Sequence, residues 1–127
     1  MNQETLFYRQ IPEWLIKPDG HVCSRAFQPT RQDDHMLSVY DGDKITPQEA
    51  FTHFTERLKC SSVGILAVSG KECIKETLSF HADYSLQNPC HALIDFSGKN
   101  KYACQKISEH LRHAALERGW LFKHFKQ

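Results

Sequence analysis

Apolar residues recur along this chain with two periods, and each change of period marks an element. Leu6-Phe7-Tyr8-Arg9-Gln10-Ile11 is rich in aromatic and branched residues and stops at Pro12, which predicts a first strand. Pro18-Asp19-Gly20 carries turn chemistry. From His21 to Gln28 the chain alternates, with Val22, Ser24 and Ala26 on one side and Cys23, Arg25 and Phe27 on the other. That predicts a second strand, ended by Pro29. Met36–Tyr40 predicts a third, closed by the Asp41-Gly42-Asp43 turn.

The period then lengthens. Thr46-Pro47-Gln48-Glu49 sets a hydroxyl N-cap before a first-turn proline, with a glutamate three residues on, which is a capping box. Phe51, Phe54 and Leu58 follow at helical spacing, so a helix of about three turns buries that stripe. Val63–Val68 is an unbroken apolar run that suits a strand covered on both faces. Ser69-Gly70-Lys71-Glu72 is a second capping box and opens a short helix reaching Leu78. Ser79–Pro89 has no period and reads as loop. Ala92–Phe96 is another strand, and Ser97-Gly98 leads into a long helix over 99–118 that ends at Gly119. Ala103, Cys104, Ile107, Leu111, Ala114 and Ala115 share one third of its circumference. Trp120-Leu121-Phe122 has room for a short last strand. The order predicts a single α+β domain over residues 1–127, with a twisted mixed sheet of four to five strands and three helices.

Composition narrows the class. The 127 residues are 40% hydrophobic and 24% charged, enough for one packed core and unlike a disordered chain. The longest uncharged stretch, Cys60–Gly70, is far below the roughly 20 apolar residues of a membrane span. Met1-Asn2-Gln3-Glu4-Thr5 lacks the cationic and apolar regions of a secretory signal, so a cytoplasmic protein is expected. Five cysteines, an odd number with no CxxC pair, read as free and mostly buried thiols.

Charge is unevenly spread. Residues 1–98 hold nine basic and thirteen acidic side chains, whereas residues 99–127 hold seven basic and two acidic, a balance of −4 against +5. This suits a charged protein partner. It suits nucleic acid less, because Lys101, Lys106, Arg112, His110 and His113 spread around the polar arc of the helix instead of forming one track. His110-x-x-His113 has no second ligand pair, and Asp41-Gly42-Asp43 lacks the spaced oxygens of a calcium loop, so no metal site is expected. Phosphate-cradling glycine motifs and a GxSxG elbow are absent, and the Ser69-Gly70 helix start has its N–H groups occupied by the cap. No cofactor is called for.

The chemistry concentrates between Tyr8 and Asp43. Arg9 interrupts the first apolar strand and Arg25 the second, and a half-buried guanidinium needs an acceptor. Asp33, Asp34, Asp41 and Asp43 offer carboxylates for an Arg–Asp network. The other reading is a polar cleft in which Arg9, Ser24, Arg25 and Tyr40 hold an anionic ligand, with Thr30, Asp33, Asp41 and Asp43 around it. On that reading, removing Arg9 abolishes binding and spares the fold.

Tyr8-Arg9-Gln10-Ile11, Ser24–Thr30, Leu37–Asp43, Ala92–Ser97 and Arg118-Gly119-Trp120-Leu121 resemble a family of small, uncharacterised bacterial proteins. The resemblance covers most of the chain; it implies a bacterial one-domain protein and carries no activity with it. Arg9 on a first strand, followed by Ser24, is also similar to ADP-ribosyltransferase-like and RES-type NAD-consuming folds, which implies an NAD pocket at those two residues. The late catalytic glutamate of those folds has no counterpart, since Ala92–Phe96 offers only Asp95. Small size, segregated charge and no complete catalytic constellation make the leading expectation a non-enzymatic interaction protein, immunity- or antitoxin-like, with a protein partner. The competing expectation is an NAD- or nucleotide-handling cleft.

Overall fold

The computed structural model describes residues 1–124, without the side chain of Arg31. Six strands form: β1 (Leu6–Ile11), β2 (Met36–Asp41), β3 (Gly64–Ser69), β4 (Ser79–Ala82), β5 (His91–Asp95) and β6 (Phe122–Lys123). They build one sheet in the order β4-β5-β2-β1-β3-β6, with every neighbouring pair antiparallel. The α+β class is as expected, but the sheet is antiparallel throughout and has six strands where four to five were predicted. The extra one is β4, in the stretch read as loop. Only Phe80 of β4 reaches the core, 4.8 Å from the ring of Phe7, so an edge strand of four residues leaves no period to read.

The predicted strand over His21–Gln28 does not form. Ser24–Phe27 is a 3₁₀ turn, and only Val22 pairs, in a single bridge to Ile16. The adjacent Ala26 and Phe27 are both fully buried, which a strand exposed on one face cannot arrange.

Three helices cover the sheet: α1 (Pro47–Thr52), α2 (Gly70–Lys75) and α3 (Lys101–Arg118). Both capping boxes are made, with Thr46 and Ser69 accepting from the amides of Glu49 and Glu72 and each glutamate reaching back to its cap. At the start of α2 the amides of Gly70 and Lys71 are also taken, by the carbonyls of Thr5 and Gln3, so this helix end has no amide left for an anion. The helix opened by α1 runs on as a π turn over His53–Arg57, with Leu58 N donating to His53 O, so Phe54 and Leu58 continue the predicted stripe.

The faces of the sheet follow from its register. Phe7, Ile11, Leu37, Leu66 and Ile94 point one way and meet Ile107, Leu111 and Ala115 of α3, with Phe27 and Phe96. Tyr8, Tyr40, Ile65 and Ala67 point the other way, toward Ala50, Phe51 and Phe54 of the α1 segment. The basic side chains of the last third are used partly to fasten α3. Arg118 donates to both carboxylate oxygens of Glu72 at 3.0 Å and to Ala67 O at 2.8 Å. Arg112 donates to Val22 O at 3.0 Å and to His21 Nε2, and Lys99 Nζ to Thr77 Oγ1 at 2.6 Å. His110 pairs with Glu76 and His113 with Glu117. No helix among the described residues is long and apolar enough to cross a membrane.

The turn after β2 is tightly built. Gly42 N donates to Leu6 O at 2.8 Å, and a Cβ at this glycine would stand 2.3 Å from that oxygen and 2.9 Å from the Tyr8 ring. Gly42→Ala therefore costs about 1–3 kcal/mol, because the alanine can be fitted only by pulling apart the start of the β1–β2 ladder. Urea unfolding with an unchanged m-value and a lowered midpoint is the expected result; an unchanged midpoint would show that the turn yields without strain.

Candidate functional site

β1 runs beside β3 for six residue pairs but beside β2 for only two, Phe7–Asp41 and Tyr8–Tyr40. Beyond Tyr8 the two strands part, and the Arg9 side chain takes the place of the ladder. Its Nη1 donates to Ser38 O of β2 at 2.8 Å, and its Nε to Ala26 O of the 3₁₀ turn at 2.7 Å. Burial lowers the pKa of this guanidinium to about 10, with Asp33 partly offsetting the shift, so it stays charged at neutral pH. These bonds engage two of its five N–H groups.

Where the strands part, a cavity of about 580 Å³ opens on the α1 face. Tyr8 and Tyr40 line it with Phe54 and Leu58 of the π turn, Arg9, at a strand position shared with Phe7 and Ile11, borders it at the gap between the strands, and Trp14, 71% exposed, also lines it. The far wall is the loop before β5. Ser85 and Asn88 fold that loop on themselves through paired bonds at 3.1 Å, and His91 continues it into β5 directly opposite Tyr40. Gln10 belongs to the same wall; its Nε2 donates to Ala50 O at 3.1 Å, and its buried Oε1 has no donor among the described residues.

Two histidines frame the phenol. His53 Nε2 lies 2.8 Å from Gln87 O and its Nδ1 2.7 Å from Tyr40 Oη. A carbonyl only accepts, so in the neutral ring Nε2 carries the proton and Nδ1 accepts from the Tyr40 hydroxyl. Burial, reinforced by Cys60 and Cys90, raises the Tyr40 pKa and keeps the phenol neutral. Its oxygen lone pairs remain available to a ligand donor. His91, by contrast, has Nδ1 3.0 Å from Asp83 Oδ2.

Of the residues singled out in the sequence, the structure brings Arg9 and Tyr40 to one cavity and leaves the rest elsewhere. Ser24 and Arg25 sit in the 3₁₀ turn, away from the cavity lining. Thr30 and Asp33 form a local capping box, with Thr30 Oγ1 donating to Asp33 Oδ2 at 2.6 Å. Asp41 is buried and accepts from Tyr84 Oη at 2.7 Å and from Asp43 N at 2.9 Å, while Asp43 accepts from Thr5 Oγ1 at 2.6 Å. Asp41 raises the Tyr84 pKa to about 12 through that bond. These carboxylates fasten turns. Among the described residues neither Arg9 nor Arg25 forms an ion pair with Asp33, Asp34, Asp41 or Asp43; in place of the predicted Arg–Asp network Arg9 donates to carbonyls and Arg25 lies against Cys23.

The five thiols are free, but only Cys73 is fully buried, its pKa raised to about 12 by that burial; Cys60 is exposed and the other three are half-buried. Among the described residues no group of three or more His, Cys, Asp or Glu side chains is arranged to hold a metal ion. The chain matches no family model, no curated protein and no solved structure.

Proposed function

We propose that the protein binds a small anionic ligand with a planar ring, of the nucleotide type, in the cavity between β1 and β2. The observation that carries this reading is that charged Arg9, in the gap between β1 and β2, is among the residues lining a mostly apolar cavity. A guanidinium with unspent N–H groups suits phosphate or carboxylate oxygens. Trp14, Tyr8 and Tyr40 offer ring faces, and Tyr40 Oη offers an acceptor. About 580 Å³ is within the range of small-molecule sites.

The test is thermal stabilisation by NAD, AMP and thymidine monophosphate at millimolar concentration. Trp14→Ala is the informative variant, because the ring is 71% exposed and its loss leaves the melting temperature nearly unchanged. Base–aromatic stacking contributes about 1–3 kcal/mol, so affinity for the stabilising nucleotide falls roughly 5- to 150-fold. No stabilisation of the wild type by any of the three probes would remove the reading.

A second reading, an immunity- or antitoxin-like protein that binds a protein partner, draws support from a different observation. Trp14 on the cavity lining and Leu86, wholly exposed between the lining residues Ser85 and Gln87, are the kind of apolar anchors that interfaces bury. The uneven charge would steer such a partner. Co-purification from a bacterial host at low salt, lost on substituting Leu86 by Ser, separates this reading from small-ligand binding. Leu86→Ser should leave nucleotide stabilisation intact.

A further inference from the structure

The Asp83–His91 pair closes the loop that walls the cavity, and its geometry is also that of a positioned base. β4 and β5 form a hairpin, and just past its last pair Asp83 N donates to His91 O at 2.9 Å. The Asp83 carboxylate then takes His91 Nδ1 at 3.0 Å. An ionised carboxylate only accepts, so the neutral imidazole carries its proton on Nδ1 and a lone pair on Nε2. His91 lines the cavity, and among the described residues Nε2 has no partner. His53 is the counter-example on the opposite side of Tyr40: both of its nitrogens are bound within the protein. One histidine braces the phenol. The other lines the cavity that Arg9 also borders, with its Nε2 unpartnered among the described residues.

We propose that His91 is the general base of a phosphoester-cleaving site, with Asp83 as the residue that positions it and Arg9 as the cation that holds the phosphoryl oxygens. The proposal rests on the nucleotide-type ligand put forward above, and its substrate class is a nucleotide ester of phosphate. In the step, a water O–H bond breaks and the proton passes to His91 Nε2, while the water oxygen forms a bond to phosphorus. The P–O bond to the leaving alcohol breaks, its electron pair stays on the leaving oxygen, and that oxygen takes the proton back from the imidazolium. Ester and water become phosphate monoester and alcohol, with no oxidant or reductant involved.

The p-nitrophenyl ester of thymidine 5′-monophosphate is the probe, because p-nitrophenolate departs without needing a proton and the assay then reads the base alone. Wild type should release p-nitrophenolate above the buffer rate. H91Q should lower kcat by roughly 10²- to 10⁴-fold, the range of a lost general base, with KM little changed. Thermal stabilisation by thymidine monophosphate should persist in H91Q. D83N, at a half-exposed carboxylate, serves where H91Q melts early: it keeps the fold and lowers kcat with unchanged stabilisation by thymidine monophosphate. Stabilisation of the wild type without turnover overturns the proposal and leaves the ligand reading standing. Absence of both overturns both. Turnover in H91Q or D83N equal to wild type shows that this pair is not the base.

Discussion

A chain ended at Gly98 will show no cooperative thermal transition. The missing segment holds α3 and β6, and α3 is the largest element packed on the sheet face formed by Phe7, Ile11, Leu37, Leu66 and Ile94, with the 3₁₀ turn of Ala26 and Phe27 held beneath it. Its buried contributors, Ile107, Leu111 and Ala115, pack against those side chains, so their removal uncovers the sheet side of each contact. Fully burying one large aliphatic or aromatic side chain contributes about 1.5–3 kcal/mol, and the truncation uncovers at least five on the sheet side. That loss alone reaches the whole stability of a small domain, about 5–15 kcal/mol. The Arg118–Glu72 bond pair and the Arg112–Val22 bond go with it. Circular dichroism melting of the 1–98 fragment checks this, and a sigmoidal transition would show that the sheet stands without its cover. Leu111→Ala in the full chain is the graded counterpart, with an expected loss of about 2–5 kcal/mol.

What could be read in advance divides along physical lines. β1, β2, β3, β5, the two capping boxes and α3 carry their signals within a few residues of themselves: a hydroxyl cap, a glutamate three places on, an apolar stripe, a stop at Gly119. β4 does not, because an edge strand covered on one side by a single phenylalanine has nothing to alternate. The opposite error fell at His21–Gln28, where true alternation in the sequence is overruled by tertiary packing. The Ile16–Val22 bridge turns the chain, and burying neighbours Ala26 and Phe27 together needs a 3₁₀ turn.

The candidate site was half legible for the same reason. A charge inside an apolar strand is visible locally, which is why Arg9 and Tyr40 could be singled out. Their separation from Ser24 and Arg25 could not be read, because it depends on the second segment not being a strand. His53 shows no sequence signal for its bond to Tyr40, thirteen residues earlier and across a packed interface. The Asp83–His91 pair was hidden by the missed hairpin: once Ser79–Ala82 is paired antiparallel with Ala92–Asp95, Asp83 must fall opposite His91.

Arg9 itself should turn out to hold the fold as well as any ligand, contrary to the expectation that it could be removed without cost. Arg9→Met preserves length and apolar stem and deletes the donors. Two carbonyls, Ala26 O and Ser38 O, then lose a charged donor, at about 1–3 kcal/mol each when left unsatisfied. Release of a buried guanidinium from its desolvation cost works against that loss. The carbonyls should dominate, because both are left without a donor, although the pKa lowered to about 10 shows that the guanidinium's own burial is only partly compensated. A net loss of about 2–4 kcal/mol is expected, read as a lower urea midpoint. Arg9→Lys should recover less than half of it, since one ammonium cannot present the forked donors that reach β2 and the 3₁₀ turn together. Nucleotide binding measured by calorimetry well below each variant's melting temperature then separates the two roles. Arg9→Lys should bind measurably and Arg9→Met not at all, because the lysine keeps the charge. A melting curve for Arg9→Met that overlays the wild type would mean that the gap between β1 and β2 closes without the arginine.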